Sequence, residues 1–209
     1  MFNVGRVLAM GVSPGKLNTE YALLPIKSRI TFLDNLGKMF TEKGISGCVA
    51  EGGVFQGEFA QEINRVFPTS KLYLFDTFSG FDNRDVSYEI EAHSLEFVDK
   101  HFQDTNEGLV VSRLPHPEMC VIRKGYFPET TEGLDEAFCF VNLDFDLYKP
   151  TLAGLDYFVP RMVKGGVILI HDYFTVGFKG VRAAVNEFCK SEEHQIIPIG
   201  DGLSVLVPF

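Results

Sequence analysis

The chain of 209 residues contains no tryptophan, no CxxC pair and no run of about 18 apolar residues. Without such a run we expect no membrane span, and the N-terminal MFNVGRVLAM lacks the long apolar core of a signal peptide. Four cysteines lie far apart, at Cys48, Cys120, Cys139 and Cys189. Cys48 and Cys139 lie in apolar runs, where free thiols behave as small hydrophobes. We therefore expect reduced thiols and a cytoplasmic protein.

Positive charge is also scarce. The chain has 19 lysines and arginines against 28 aspartates and glutamates, a net charge of -9. This balance argues against nucleic acid as a partner, because binding a phosphate backbone needs a basic surface. A neutral or cationic small-molecule ligand fits better. The length and the ordinary content of apolar residues predict one domain over residues 1–209.

Strand patterns and helix patterns alternate along the chain. Strands are predicted at 47–51, 71–76, 119–125, 137–144 and 165–172. Helices are predicted at 27–43, 54–67, around 88–103, 151–162 and 180–190. A hairpin around GDG (200–202) ends the chain. The order indicates an α/β fold, a Rossmann-like three-layer sandwich with a mostly parallel sheet and an antiparallel C-terminal hairpin. We expect the segments 1–26 and 77–117 to cover the site and select the acceptor.

Acidic residues end four of the predicted strands: Glu51, Asp76, Asp144 and Asp172. Ligands bind at the carboxyl ends of the strands in such sheets, so these acids predict a binding site on one rim. The stretch VNLDFDLYKP (141–150) places Asp144 directly after a buried strand. We therefore interpret Asp144 as a residue that holds a ligand and not as an ordinary solvated residue at the end of a strand.

The glycine-rich loop EGGVFQG (51–57) follows the first strand and precedes a helix. It does not match the GxGxxG fingerprint of dinucleotide sites, because two glycines are adjacent and the third follows four residues later. A carboxylate at the loop disfavours pyrophosphate and favours a ligand that carries an ammonium and a sulfonium, as S-adenosylmethionine does. Asp76, 25 positions beyond Glu51, can accept hydrogen bonds from ribose hydroxyls. The alternative is a structural turn with two capping acids.

Five motifs together resemble the macrocin O-methyltransferase (TylF-like) family of class I S-adenosylmethionine-dependent methyltransferases. They occur in the family's order, from about residue 20 onward, and are AEGGVFQGEFA (50–60), LFDTFSGFD (74–82), RKGYFPET (123–130), NLDFDLYKPTLAGL (142–155) and GGVILIHDY (165–173). The resemblance implies a seven-stranded sheet with a reversed last strand. It also implies a divalent metal, usually magnesium (Mg²⁺), and methylation of sugar hydroxyls.

The resemblance also implies the residues that contact the cofactor S-adenosylmethionine. The methionine part is expected at the glycine loop, the ribose at Asp76, and the adenine between Thr77 and Phe78 on one side and a closing loop on the other. The full cofactor-binding set is Glu51, Gly52, Gly53, Phe55, Gly57, Asp76, Thr77, Phe78, Gly125 and Tyr126.

The metal is expected at Asp144, His171 and Asp172, with Asp144 or His171 as the catalytic base. His171 departs from the family's pattern, which has two acids after the fifth strand. Imidazole is a poor magnesium ligand but suits zinc, iron or manganese, and it can act as a base near neutral pH. The role of His171 is therefore left open: it is a metal ligand, a catalytic base or neither. Asp146 is expected to assist as a ligand or a helix cap.

The predicted function is S-adenosylmethionine-dependent O-methylation of a hydroxyl in a saccharide or glycoside. The alternative is a non-catalytic cofactor-binding or assembly protein with the same fold. A nicotinamide-dependent oxidoreductase is disfavoured by Glu51 and by the glycine spacing. The identity of the acceptor and a homo-oligomeric state are left open by the sequence.

Overall fold

The computed structural model describes residues 24–93, 102–192 and 194–209. Its centre is a seven-stranded sheet with the order β3-β2-β1-β4-β5-β7-β6. The strands are β1 Cys48–Gly52, β2 Leu72–Asp76, β3 Cys120–Lys124, β4 Phe138–Leu143, β5 Met162–Ile170, β6 Ile197–Pro198 and β7 Val205–Pro208. β1 to β5 pair in parallel, whereas β7 is antiparallel to both β5 and β6. The predicted α/β fold with a reversed C-terminal hairpin is confirmed.

Helices cover both faces of this sheet. In the described residues they are α1 Leu24–Lys43, α2 Glu58–Val66, α3 Asn83–His93, α4 Glu107–Arg113, α5 Tyr148–Phe158 and α6 Lys179–Glu192. One apolar cluster joins the sheet to α5 and α6, and a second joins it to α1, α2 and α4. No helix in the described part of the chain is both long enough and apolar enough to span a bilayer.

The central strands are covered on both faces, which explains their near-continuous apolar sequences. Every residue of β1 and of β4 is buried. Phe138 packs on the α5 side and Phe140 on the α2 side, although they are two positions apart, because the register of β4 shifts between them. Each is 0% exposed, and burying one such side chain stabilises the fold by about 1.5–3 kcal/mol. Cys48 and Cys139 are buried, and all four cysteines are free, as predicted.

Several predicted helix bounds were wrong. The helix expected at 54–67 begins only at Glu58, because Phe55 and Gly57 have positive φ angles of 48° and 80° and form a loop. The helix expected at 151–162 is Tyr148–Phe158, since Pro150 fits the first helical turn, where no backbone donor is needed. Of the helix expected around 88–103, residues 83–93 are helical and 94–101 lie outside the described residues.

Smaller differences concern the ends of the chain and α4, Glu107–Arg113, a helix that was not predicted from the sequence. α1 begins at Leu24, so residues 24–26 belong to a helix, while 1–23 lie outside the described residues. The hairpin connection is longer than a tight turn, because β6 ends at Pro198 and β7 starts at Val205. Gly200 and Gly202 both adopt positive φ, as the GDG turn predicts.

α3 is fixed to the two helices beside it through Glu89, which is 1% exposed. Its Oε2 accepts a hydrogen bond of 2.9 Å from the backbone N–H of Tyr148, the first residue of α5. At Gly180, in the first turn of α6, a Cβ atom would lie 1.9 Å from Glu89 Oε1. The missing side chain at Gly180 therefore lets α6 approach this carboxylate, and α3 packs where α5 and α6 begin.

Candidate active site

The carboxyl ends of the parallel strands surround a cavity of about 420 Å³, within the usual size range for small-molecule sites. The four acids predicted to share a rim all line it: Glu51, Asp76, Asp144 and Asp172. Glu51 and Asp76 lie at the ends of β1 and β2, and Asp144 and Asp172 follow β4 and β5. These four strands are consecutive in the sheet, in the order β2-β1-β4-β5. The parallel arrangement thus brings together residues that lie more than a hundred positions apart.

The loop after β1 passes close to the end of β4. Gly53 has φ +79°, and a Cβ atom there would lie 2.0 Å from the carbonyl oxygen of Asp144. Its N–H donates to the carbonyl oxygen of Phe75 in β2 at 2.9 Å. Only glycine combines this backbone conformation with so close an approach. The loop is thereby held against both neighbouring strands.

We expect Gly53→Ala to destabilise the protein much more than Gly44→Ala. Both glycines have positive φ, but a Cβ at Gly44 would meet nothing within 4 Å. Gly44→Ala therefore carries only the backbone strain, about 1 kcal/mol, whereas Gly53→Ala adds overlap with backbone atoms, for a total of about 3 kcal/mol. Urea unfolding measures both. Equal losses would show that the contact between the loop and Asp144 is not tight.

Asp76 organises this loop from the end of β2. Its Oδ2 accepts hydrogen bonds from the backbone N–H groups of Val54 at 2.7 Å and Phe55 at 2.9 Å. Its Oδ1 accepts one from the N–H of Phe78 at 2.7 Å. Its own carbonyl oxygen accepts from Gly125 at 2.9 Å. One residue therefore sets the positions of the two predicted cofactor loops while its carboxylate borders the cavity.

The predicted cofactor residues divide into two groups. Those that line the cavity are Glu51, Gly53, Phe55, Asp76, Thr77, Gly125 and Tyr126. The other three, Gly52, Gly57 and Phe78, lie beside it.

Each of these three has a packing role instead. A Cβ at Gly52 would lie 2.2 Å from the ring of Phe145, and one at Gly57 would lie 2.9 Å from Val110. The side chain of Phe78 is 6% exposed and belongs to the apolar cluster under α1 and α2. Phe78 packs in that cluster and does not line the cavity, so its predicted contact with the adenine stays a prediction. Its backbone N–H supports Asp76.

Glu51 is a buried carboxyl group with unused hydrogen-bonding capacity. Its Oε1 accepts from Asn142 Nδ2 at 2.8 Å, while Oε2 finds no hydrogen-bond partner within the described residues. Burial, together with the charge of Asp144, raises the pKa of Glu51 to about 8. Burying a polar atom without a hydrogen-bond partner lowers stability. An ammonium group in the cavity would supply both the missing donor and the opposite charge.

The predicted metal residues converge on one point. His171 Nδ1 lies 2.9 Å from Asp144 Oδ1 and 2.8 Å from Asp172 Oδ2. One ligand atom from each of the three residues lies within 4.8 Å of the others. Thr175 donates a hydrogen bond to Asp172 Oδ1 and fixes that carboxylate. The cluster closes the ends of β4 and β5, as the sequence predicted.

Electrostatics in this cluster favour charged side chains. Burial alone would lower the pKa of His171, but Asp144 and Asp172 outweigh it and raise the pKa to about 10. Burial likewise opposes ionisation of Asp172, yet its hydrogen bond with His171 holds the pKa of Asp172 well below its usual range. At neutral pH the imidazole of His171 is therefore in its positively charged form, between the carboxylates of Asp144 and Asp172.

The site contains two further residues that the sequence analysis did not emphasise, Asp146 and Arg29. Asp146, expected only to assist, lines the cavity, and burial and the charge of Asp172 raise its pKa well above the usual range. Arg29, on α1, was not singled out, yet its Nη1 lies 3.2 Å from Asp144 Oδ2. Its position in an amphipathic helix gave no local signal, since the contact joins residues 115 positions apart.

Four phenylalanines form an aromatic wall on one side of the cavity. Phe102 makes edge contacts with Phe55 and with Phe81, at centroid distances of 5.0 Å and 5.3 Å. Phe81 in turn contacts Phe178 at 6.3 Å. All four line the cavity, which therefore has aromatic side chains as well as the acidic rim at its surface.

A parallel sheet with a reversed last strand, a glycine loop with a buried acid and an acid after β2 define a class I S-adenosylmethionine-dependent methyltransferase. The sequence model of the macrocin-O-methyltransferase (TylF) family matches residues 24–200. The chain therefore belongs to this family, and it is an O-methyltransferase that uses S-adenosylmethionine.

Solved structures of O-methyltransferases share the fold. NovP matches with a TM-score of 0.69 and 18% identity over 87% of this chain and 79% of NovP. The calicheamicin methyltransferase CalS11 matches with a TM-score of 0.70 and 17% identity over 88% of this chain and 79% of CalS11. TomG of Streptomyces achromogenes, solved with SAM, matches with a TM-score of 0.53 and 12% identity over 85% of this chain and 79% of TomG. A comparison with curated protein sequences gives no match.

Proposed function

We propose that the enzyme methylates a hydroxyl group of a sugar or glycosylated metabolite with the help of a divalent metal ion. The observation that carries the proposal is the cluster of Asp144, His171 and Asp172 at the cavity, beside the buried carboxyl group of Glu51. The cluster offers ligands for an ion, and Glu51 offers a partner for the ammonium of the methyl donor. Donor and acceptor are thereby brought to the same strand ends.

The sugar acceptor is supported by the family and by the shape of the site. The matching family is that of macrocin-O-methyltransferase, and CalS11 is described as a TDP-rhamnose 3'-O-methyltransferase. In this chain the aromatic wall of Phe55, Phe81, Phe102 and Phe178 suits the apolar face of a sugar ring or of an attached aglycone. α3, within the segment 77–117, places Asp85 at the cavity. We assign acceptor selection to this segment.

The residues of the cluster fit a divalent ion. Two carboxylates and one imidazole within 4.8 Å form a mixed oxygen and nitrogen donor set. Such a set suits manganese, iron or zinc better than magnesium, which prefers oxygen ligands. Bound there, the ion would lower the pKa of the acceptor hydroxyl and orient it. Asp144, His171 and Asp172 would hold it, which requires His171 to give up its proton and Arg29 to leave Asp144.

Proton removal from the acceptor is assigned to Asp146 rather than to Asp144 or His171. Asp144 contacts both His171 and Arg29 and is the proposed ion ligand. His171 is held between two carboxylates, so its Nδ1 is not directed at an acceptor. The raised pKa of Asp146 gives its carboxylate a high affinity for a proton, and the positive charge of an ion bound beside it would keep that carboxylate ionised until the acceptor releases its proton. S-adenosylmethionine supplies the methyl group on its sulfonium, and the strand ends hold donor and hydroxyl in line.

The function is tested by incubating the enzyme with S-adenosylmethionine, manganese or magnesium, and a panel of glycosides with neighbouring hydroxyl groups. Formation of S-adenosylhomocysteine together with an O-methylated sugar supports the proposal. Cofactor binding without turnover on any glycoside, with either ion, would favour a non-catalytic cofactor-binding protein instead. Methylation of a phenol but of no sugar would contradict the acceptor class alone.

We expect His171→Asp to change which metal ion supports activity. The wild-type donor set should give higher activity with manganese than with magnesium, because imidazole is a poor magnesium ligand. An all-oxygen set should reverse that order. The measurement is the ratio of initial rates with the two ions, after removal of bound metal by chelation. His116→Asp, a change at an exposed loop, is the control. An unchanged ratio in His171→Asp would exclude His171 as a ligand.

A further inference from the structure

Arg29 is the most deeply placed cation of the site. The residue is 7% exposed, and its guanidinium lies 4.2 Å from the ring centroid of Phe59 in α2. Its Nη1 contacts Asp144 Oδ2 at 3.2 Å. A long side chain held between an aromatic ring and a carboxylate has lost most of its conformational freedom. Its stacking on Phe59 therefore lowers the entropy cost of binding a planar anion at the cavity, even where the contact with Asp144 is exchanged for that anion.

The charges around the cavity make Arg29 unusual. Among the described residues that line the cavity it is the only lysine or arginine, whereas the acids outnumber the cations there. The remaining basic residue, His171, is already held between Asp144 and Asp172. An anionic group that enters the cavity therefore meets one permanently charged partner within the described part of the lining, and that partner is Arg29.

Arg29 and Glu51, the group that suits an ammonium, line the same cavity. The charge of Arg29 acts on Glu51, and both residues interact with Asp144. Glu51 is 1% exposed, and its Oε2 has no hydrogen-bond partner in the part of the chain that the structure describes. An α-amino acid carries its ammonium and its carboxylate on the same carbon atom. A buried acid and a buried cation that line the same cavity are complementary to that pair of charges.

We propose that Arg29 binds the carboxylate of the methionine part of S-adenosylmethionine while Glu51 binds its ammonium. The proposal rests on the use of S-adenosylmethionine by this enzyme. A guanidinium can bind a carboxylate through two parallel hydrogen bonds. Binding the cofactor in this way draws Arg29 from Asp144 and leaves Oδ2 of Asp144 available at the proposed ion site. Cofactor binding and ion binding then support each other through one side chain.

Titration calorimetry with two ligands isolates the carboxylate. S-adenosylmethionine is compared with decarboxylated S-adenosylmethionine, which differs only by the absence of that group. Wild type should bind the intact cofactor about 10- to 100-fold more tightly, as one charge-assisted contact predicts. Arg29→Gln should lose this preference, and Arg29→Lys should keep part of it because the charge remains. Arg65→Gln, which removes an exposed arginine paired with Asp34 and Glu62, should behave as wild type.

The outcomes separate the proposal from the cofactor assignment. A wild-type protein that binds both ligands equally, or an Arg29→Gln variant that keeps the full preference, would overturn the role of Arg29. Failure of wild type to bind either ligand would instead overturn the use of S-adenosylmethionine, and the role of Arg29 with it. Thermal melting of both Arg29 variants checks folding, and the ligand preference within one folded variant does not depend on its stability.

Discussion

Asp144→Asn is expected to abolish methyl transfer while affecting cofactor affinity far less. Asp144 joins the proposed ion site to the acceptor, and an amide cannot supply the charge that an ion ligand needs. We expect kcat to fall by about 100- to 10,000-fold, the usual contribution of acid–base and ion assistance. Glu51 and Asp76, which border the cofactor side of the cavity, are left in place. Rates come from S-adenosylhomocysteine release, and affinities from calorimetry.

Two variants sharpen this result. Asp34→Asn removes the same charge from an exposed ion pair with Arg65 and should leave kcat unchanged. Asp146→Asn should lower kcat without changing the concentration of metal ion needed for half of the maximal rate, which separates proton removal from ion binding. Retention of more than about a tenth of the activity in Asp144→Asn would contradict its role in the chemistry.

Asp76→Asn is expected to weaken S-adenosylhomocysteine binding by at least about 100-fold, since charge-assisted hydrogen bonds are each worth about 1.5–3 kcal/mol. The carboxylate accepts from Val54, Phe55 and Phe78, so an amide nitrogen would face at least one backbone N–H. The glycine loop then loses its support, and the predicted ribose site loses an acceptor. Calorimetry gives the affinity, and hydrogen exchange at residues 53–57 reports the loosened loop.

Asp201→Asn is the matched control. The carboxylate of Asp201, like that of Asp76, accepts from backbone N–H groups, those of Leu203 at 2.9 Å and Ser204 at 2.7 Å. Asp201 is buried and lies in the connection between β6 and β7. It should lower stability without weakening cofactor binding. If both variants lose stability and neither loses affinity, Asp76 is a structural residue only.

The sheet and its acidic rim could be predicted because they depend on patterns that are short in the sequence. Buried strands such as β4 are nearly continuous apolar runs, and a parallel arrangement places all their carboxyl ends on one edge. Once that arrangement is chosen, Glu51, Asp76, Asp144 and Asp172 must meet. No long-range information beyond the strand order is needed.

The rest depends on conformations and contacts that the local sequence does not encode. VFQG (54–57) reads as the start of a helix, and the positive φ of Phe55 follows only from the hydrogen bonds that Asp76 makes to the loop. Arg29 reads as one polar residue on an amphipathic helix. Only the packing of α1 against α2 places the guanidinium of Arg29 over the ring of Phe59 and beside the carboxylate of Asp144.

The contact between Glu89 and Gly180 has a consequence for the exchange of acceptor specificity between relatives. α3, α5 and α6 meet at the carboxylate of Glu89. α3, which lies in the segment proposed to select the acceptor, is therefore packed into the fold and is not an independent module. A transplanted segment 77–117 that brings no acid at position 89 would leave the first N–H of α5 without its partner. A host with a larger residue at position 180 would push the segment away. Chimeras should therefore exchange the two positions together.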